Sequence, residues 1–340
     1  MQDTLFPEDE PPPSATKPQV RRAGVRPVAA DPELAALARR LPPRLRIGTS
    51  SWHYPGWAGL VWDGVYDERE LSRNGLLAYA AHPLLRTVCI DRSFYRPLTA
   101  SQYARYAAQV PEDFRFVVKA PALVADALVR AEDGRGRQPN PAFLDPTLAC
   151  REFVEPALEG LGARLGALVF EISPLPAQLL AQTEALHTQL SAMLRALPPL
   201  RPTAPDGVVA VEVRNPALLS RRLADTLGEA GASFCLGLHA KMPPIDEQLP
   251  MLRALWPGPL VCRWNLNRLH GAYGYEQAQR LYQPYDRLQD PDLPTRETLA
   301  RVMRATVSAG QPVYVTVSNK AEGSAPLTVA ALARLCASMA

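Results

Sequence analysis

VVAVEVR, residues 208–214, is an apolar run that turns charged at its C-terminal end, with Glu212 and Arg214 on one parity and Val211 and Val213 on the other. Such a run reads as a strand buried on both faces in a parallel sheet. Seven more stretches share the form: LRIGTS (45–50), TVCID (87–91), RFVVK (115–119), ALVFE (167–171), SFCLGLH (233–239), LVCRW (260–264) and PVYVTVSN (312–319). Helical patterns follow them near 70–81, 98–110, 146–162, 176–197, 216–230, 245–255, 275–288, 295–309 and 327–338, with Thr99 or Ser101 as an N-cap. Eight strand–helix units predict an α/β fold, a (β/α)8 TIM barrel in a single domain over residues 44–340. Its C-terminal strand ends would then surround one mouth, where such barrels carry their chemistry.

Composition narrows the class. A chain of 340 residues at 47% hydrophobic is long enough for one such barrel, which takes about 250 residues. The formal net charge is +3, and residues 1–43 add nothing to it, holding six acidic and six basic side chains. The rest is therefore only mildly basic, which argues against a broad grip on nucleic acid. Residues 1–43 are charged and proline-rich, and are expected to form a disordered tail without a signal-peptide core. No stretch approaches the roughly 18 apolar residues of a membrane span. Five cysteines without CxxC spacing read as reduced thiols, which predicts a cytoplasmic protein. Segment 120–145, with EDGRGRQPNP, reads as a long mobile loop of the lid type.

Alternation along a strand sends one parity into the lumen and the other beneath the helices. The helix layer is dry, so an unpaired charge there would cost several kcal/mol, and charged strand residues must mark the lumen. This predicts a mouth lined by Ser50 and Trp52; Asp91, Ser93 and Tyr95; Lys119; Glu171 and Ser173; Glu212 and Arg214; His239; Arg263 and Asn265; and Ser318. Lysine usage points to the same end. Of 37 basic residues only Lys17, Lys119, Lys241 and Lys320 are lysines, and the last three sit at or just past strand ends. A compact, titratable ammonium behaves differently from a guanidinium fork.

GTSSWHYPGW (48–57), DRSFYRPLTASQYARYAAQVPEDFRFVVKAP (91–121), VEVRNP (211–216) and SNKAEGSAPL (318–327) resemble the domain-of-unknown-function 72 family of bacterial YecE-like proteins. The resemblance implies a (β/α)8 barrel and no established reaction. The family's barrel is similar in outline to the endonuclease IV and xylose isomerase group, which use divalent metals, a fold-level analogy only. This chain departs from the family pattern at Cys89-Ile90-Asp91, where Glu-Leu/Ile-Asn is usual. It also has Glu171 in place of Gln, and Ser318-Asn319-Lys320 in place of Asn-Asn-Lys.

The residues themselves suggest three constellations. Asp91, Glu171 and Glu212, with His239, form a carboxylate group that would share acid and base duties or hold Mg²⁺ or Mn²⁺. Lys119, Arg214 and Arg263 balance those acids, which favours a metal-free acid–base site with no cofactor. Residues 318–324, with Asn319, Lys320 and Ser324, together with Arg263, suggest an anion seat at the last helix. Trp52, Tyr54, Trp57, Phe94, Tyr95, Tyr273 and Tyr275 would stack on a sugar or base, Trp57 and Trp62 reading better as cover for the barrel end. Together they predict an enzyme, a hydrolase, lyase or isomerase, acting on a small anionic substrate that is phosphorylated or sugar-like. Glu212, Glu171, Lys119, Arg214, Asp91 and His239 would be catalytic. Trp52, Ser93, Tyr95, Arg263, Asn265, Asn319, Lys320 and Ser324 would bind substrate. Two alternatives stay open: a nucleic-acid-binding or metal-dependent nuclease-like barrel, and a non-catalytic ligand sensor.

Overall fold

Eight parallel strands close on themselves, each hydrogen-bonded to the next with β1 meeting β8. They are β1 (Leu45–Thr49), β2 (Thr87–Ile90), β3 (Arg115–Lys119), β4 (Leu165–Ile172), β5 (Val208–Val213), β6 (Ser233–Leu238), β7 (Leu260–Trp264) and β8 (Val313–Val317). All eight coincide with the expected runs. This computed structural model describes residues 24–130 and 136–338.

The lumen parity holds throughout. Cys89, Val117, Ala167, Val169, Ala210, Cys235, Val261 and Tyr314 pack in a separate apolar cluster inside the barrel. Val88, Ile90, Phe116, Val118, Leu168, Phe170 and Val211 belong to the larger core beneath the helices. Below the inner cluster, Arg46 and Arg115 each reach Asp206 at 3.0 Å, and the Tyr314 hydroxyl donates to the Asp206 carbonyl at 2.9 Å. Polar contacts thus seal the N-terminal end.

The helices depart from expectation in detail. The first breaks at Gly75 into Glu68–Asn74 and Leu76–Ala80. The one expected at 216–230 is a short 3-10 turn followed by Arg221–Glu229, with Ser220 as its cap, and the one at 275–288 stops at Tyr282. Thr99 is the N-cap of Ala100–Ala107, in a capping box with Gln102.

Two larger expectations need correction. The disordered tail does not extend to residue 43. Residues 1–23 lie outside the described part, but Pro32–Arg40 is a helix capped by Asp31. Its Leu37 and Ala38, with the following Leu41, are buried against the barrel core, which supplies the apolar contact that orders it. The segment 120–145 is not one long loop either. It contains the helical turn Ala122–Ala125 and an antiparallel ribbon of Leu128–Arg130 with Gly136–Pro139. Buried Asp126 holds it through Arg130, and the Asn140 amide donates to the Leu123 and Asp126 carbonyls at 2.8 and 2.7 Å. Residues 131–135, the centre of the expected lid, lie outside the described part.

Candidate active site at the barrel mouth

Register brings the charges together. In the β4–β5 pair Glu171 stands beside Glu212, and in β6–β7 Gly237 stands beside Arg263. Gly237 has lumen parity, and a Cβ there would approach the Glu212 carboxylate to 2.8 Å. The missing side chain is what leaves room for Glu212 in this layer.

Arg263 is the hub. Its Nη1 bonds Glu171 Oε2 and Glu212 Oε2, and its Nη2 bonds Asp91 Oδ1 at 2.9 Å. Arg214 Nη2 lies 2.6 Å from Glu171 Oε2 and 2.8 Å from Glu212 Oε1. Lys119 Nζ lies 3.1 Å from Glu171 Oε1 and 3.5 Å from the centroid of the Phe94 ring. Asn265 Nδ2 reaches Glu212 Oε1 at 3.4 Å. Burial pushes the Glu171 carboxyl up, but Arg214, Lys119 and Arg263 outweigh it and hold that carboxyl well below the usual range. The same attraction, with Asp91 and Glu212 foremost, raises Arg263 despite its burial. Both guanidinium groups and Glu171 stay ionised.

Above this network lies a cavity of about 1420 Å³. Trp52, Asp91, Tyr95, Lys119, Glu171, Arg214, His239, Arg263, Asn265, Ser318 and Lys320 line it, so most of the expected set does converge. Ser173, expected at the mouth, is buried outside this lining, and four residues expected to catalyse or bind stand apart, each for a geometric reason. Glu212 is fully buried beneath the floor, clamped between the two arginines. Ser93 is also fully buried, its hydroxyl between the carbonyls of Ile90 and Lys119 at 2.8 and 2.6 Å, where it ties the turn after β2 to the end of β3. The Asn319 Oδ1 accepts from Trp57 Nε1 at 3.2 Å and from the Ala325 amide at 2.8 Å. That carboxamide caps the last helix (Ala325–Ser338), so the helix N-terminus is no anion seat, and Ser324 is wholly buried beside it. Glu322 anchors the same turn from below through Arg296 and the Asp292 amide. Of the expected anion loop, only Ser318 and Lys320 face the cavity.

Other residues join the wall. Lys241, to which only the lysine distribution pointed, lines the cavity with its ammonium 4.5 Å from the Tyr273 ring. The Tyr275 ring lies tilted against His239, with centroids 5.3 Å apart. Asp67, Glu68, Arg69 and Ser72, from a helix with no sequence signal for function, form the side next to β1. Lys320 makes no ion pair among the described residues, and burial lowers its pKa. The Ser50 hydroxyl and the Trp52 indole N–H have no partner among the described residues although both atoms are buried. Trp57 and Trp62 are fully buried cover.

The three acids do not form a cation site. They converge on the guanidinium of Arg263 in the position a divalent ion would take, with Arg214 beside it. Among the described residues no group of three His, Cys, Asp or Glu side chains is arranged to hold a metal. The expected option of Mg²⁺ or Mn²⁺ on Glu171, Glu212, Asp91 and His239 therefore does not fit this donor set.

His239 is held neutral. Burial, then Arg214 and Lys241, lower its pKa to about 3, and burial lowers that of His82 to about 4. The Lys241 amide donates to His239 Nδ1 at 3.0 Å, which leaves the ring proton on Nε2 as a donor. Since both folded pKa values lie below the ordinary 6.5, the unfolded chain takes up protons first as pH falls. The stability these rings contribute is complete above pH 6.5 and is lost as pH falls toward 4 and then 3. We expect stability in urea to fall between pH 6.5 and 4.5 by at most about 1.4 kcal/mol per unit for each ring. His82→Gln should flatten that slope, and a slope unchanged by the substitution would contradict the assignment.

A family model described as "Protein of unknown function DUF72" matches residues 46–339. A DUF72 family protein from Enterococcus faecalis V583 superposes with a TM-score of 0.54 at 16% identity, covering 86% of this chain and 95% of that one. A DUF72 family protein from Thermotoga maritima MSB8 gives 0.49 at 17% identity, over 87% and 98%. No curated protein matches. The chain belongs to the DUF72 family, over nearly the whole of its barrel.

Proposed function

We propose that this mouth is the active site of an enzyme that performs acid–base chemistry on a small anionic substrate, phosphorylated or sugar-like. One observation carries the reading: Lys241 and Lys320 face the cavity with no acidic partner among the described residues, above an already balanced network. The walls hold Arg69, Arg92, Arg96, Lys119, Arg214, Lys241, Arg263 and Lys320 against Asp67, Glu68, Asp91 and Glu171. Even with Glu212 beneath the floor, cations are in excess, which favours an anion. Taking Lys119, Glu171, Glu212, Arg214 and Arg263 out of water would be a poor route to stability alone, since apolar residues of similar volume do as well or better. Such a network at a barrel mouth points to function.

Roles follow from access. Glu212 has none, and three cations hold Glu171, so both serve to position Arg214 and Arg263. Asp91 is the reactive carboxylate: its side chain is 38% exposed, Arg263 holds Oδ1, and Oδ2 has no partner among the described residues. His239 Nε2–H and Lys119 polarise the substrate and stabilise the negative charge that develops when Asp91 takes a proton. Lys320 and Lys241 seat the anion, and Trp52, Tyr95 and Tyr275 contact the rest. The five cysteines are all unpaired, and among the described residues no helix is long and apolar enough to cross a membrane. These features support work in the cytoplasm.

A thermal-shift screen of inorganic phosphate, sugar phosphates, nucleotides and carboxylic acids, with and without a chelator, tests this. Phosphorylated small molecules should raise Tm by mass action, without any effect of the chelator. Lys320→Ala should weaken the same ligands about tenfold. Preference for polynucleotides with steep salt dependence would replace this reading with nucleic-acid binding. Stabilisation without turnover would make the protein a sensor.

A further inference from the structure

We propose a second ligand site, away from the mouth: the cleft between the helices Arg221–Glu229, Ile245–Ala254 and Leu293–Ser308 binds a small amphiphile, an apolar chain or ring with one carboxylate. The cleft encloses about 480 Å³ beside Ser233, Phe234 and Leu260. These residues start β6 and β7, so the cleft opens toward the end of the barrel opposite the cavity, about 20 Å away along strands of this length. It does not depend on the chemistry proposed for the mouth.

The three helices leave this space because small residues stand where bulky ones would fill it. Gly228, Gly231 and Ala305 line the cleft, and a Cβ at Gly228 would meet nothing nearer than Leu255 at 3.4 Å. The walls are apolar, from Phe234, Leu249, Leu252 and Val302, and Trp256 stands 51% exposed at the rim. A volume of this size suits a small ligand enclosed by apolar walls with few polar groups.

Charge selects the occupant. Arg253 and Arg301 are the two charged residues of the lining, and no acid accompanies them. Arg301 Nη2 donates to Thr298 Oγ1 at 2.9 Å, which holds the guanidinium at the cleft edge. An arginine fork matches a carboxylate bidentately, while the walls take the apolar body.

The test uses the full chain and decanoate below its micelle concentration, followed by calorimetry, with decanol as the neutral control. Decanoate should saturate a single site and bind at least tenfold more tightly than decanol. Arg301→Gln with Arg253→Gln should remove that preference. Gly228→Leu, which fills the cleft, should abolish binding while the melting curve shows a folded chain. Equal binding of decanol and decanoate would overturn the anionic head. Undiminished binding to the Gly228→Leu protein, or no binding to the parent, would overturn the site. A dimer in sedimentation that Gly228→Leu splits would show that a second copy covers this face instead.

Discussion

Arg263→Met should destabilise the barrel by about 3–5 kcal/mol, because it leaves buried carboxylates without their shared cation. Asp91, Glu171 and Glu212 all bond this one guanidinium, and Glu212 has no access to water. Arg214 alone cannot neutralise both glutamates. The loss should be read from urea unfolding at pH 7, and it should shrink when Glu212→Gln is added, since one of the stranded charges then disappears. Additive effects in that double-mutant cycle would mean that the two side chains do not act as a pair. A loss below about 1 kcal/mol would mean that water reaches the network, at odds with its burial.

Asp91→Asn should leave the fold intact and lower kcat by roughly 10²- to 10⁴-fold for whichever substrate the ligand screen identifies, the usual worth of a general base. The amide oxygen of asparagine still accepts from Arg263 Nη2, so the geometry persists while the proton acceptor is gone. KM should change little, because the anion is seated by Lys320 and Lys241, past the ends of other strands. Glu212→Gln should also reduce turnover, but through displaced arginines, and its KM should rise with the fall in kcat. Full turnover in the Asp91→Asn protein would remove Asp91 from the chemistry.

Much of this arrangement is legible in the chain because two periodicities carry it. Strand parity separated Val211 and Val213 from Glu212 and Arg214, and the same rule placed Lys119, Glu171 and Arg263 in one lumen. The scarcity of lysine singled out Lys241 and Lys320, both on the cavity wall. Parity does not report depth, however. Glu212 and Glu171 read alike in sequence, yet Glu212 lies beneath two arginines because Gly237 leaves it a niche and Arg214 closes over it. SNKAEGSAPL reads as an anion loop, but the Asn319 carboxamide already occupies the helix N-terminus it would offer.

Local pattern was therefore sufficient for the closed eight-stranded barrel and for the end that carries its polar groups. Burial of a strand depends on near neighbours in sequence, and alternation records it directly. Which carboxylate meets solvent, which guanidinium takes the place of a cation, and where helices leave a cleft were settled only by packing. Those outcomes depend on side chains tens to hundreds of positions apart, such as Asp91 and Arg263, whose distance no stretch of chain encodes by itself.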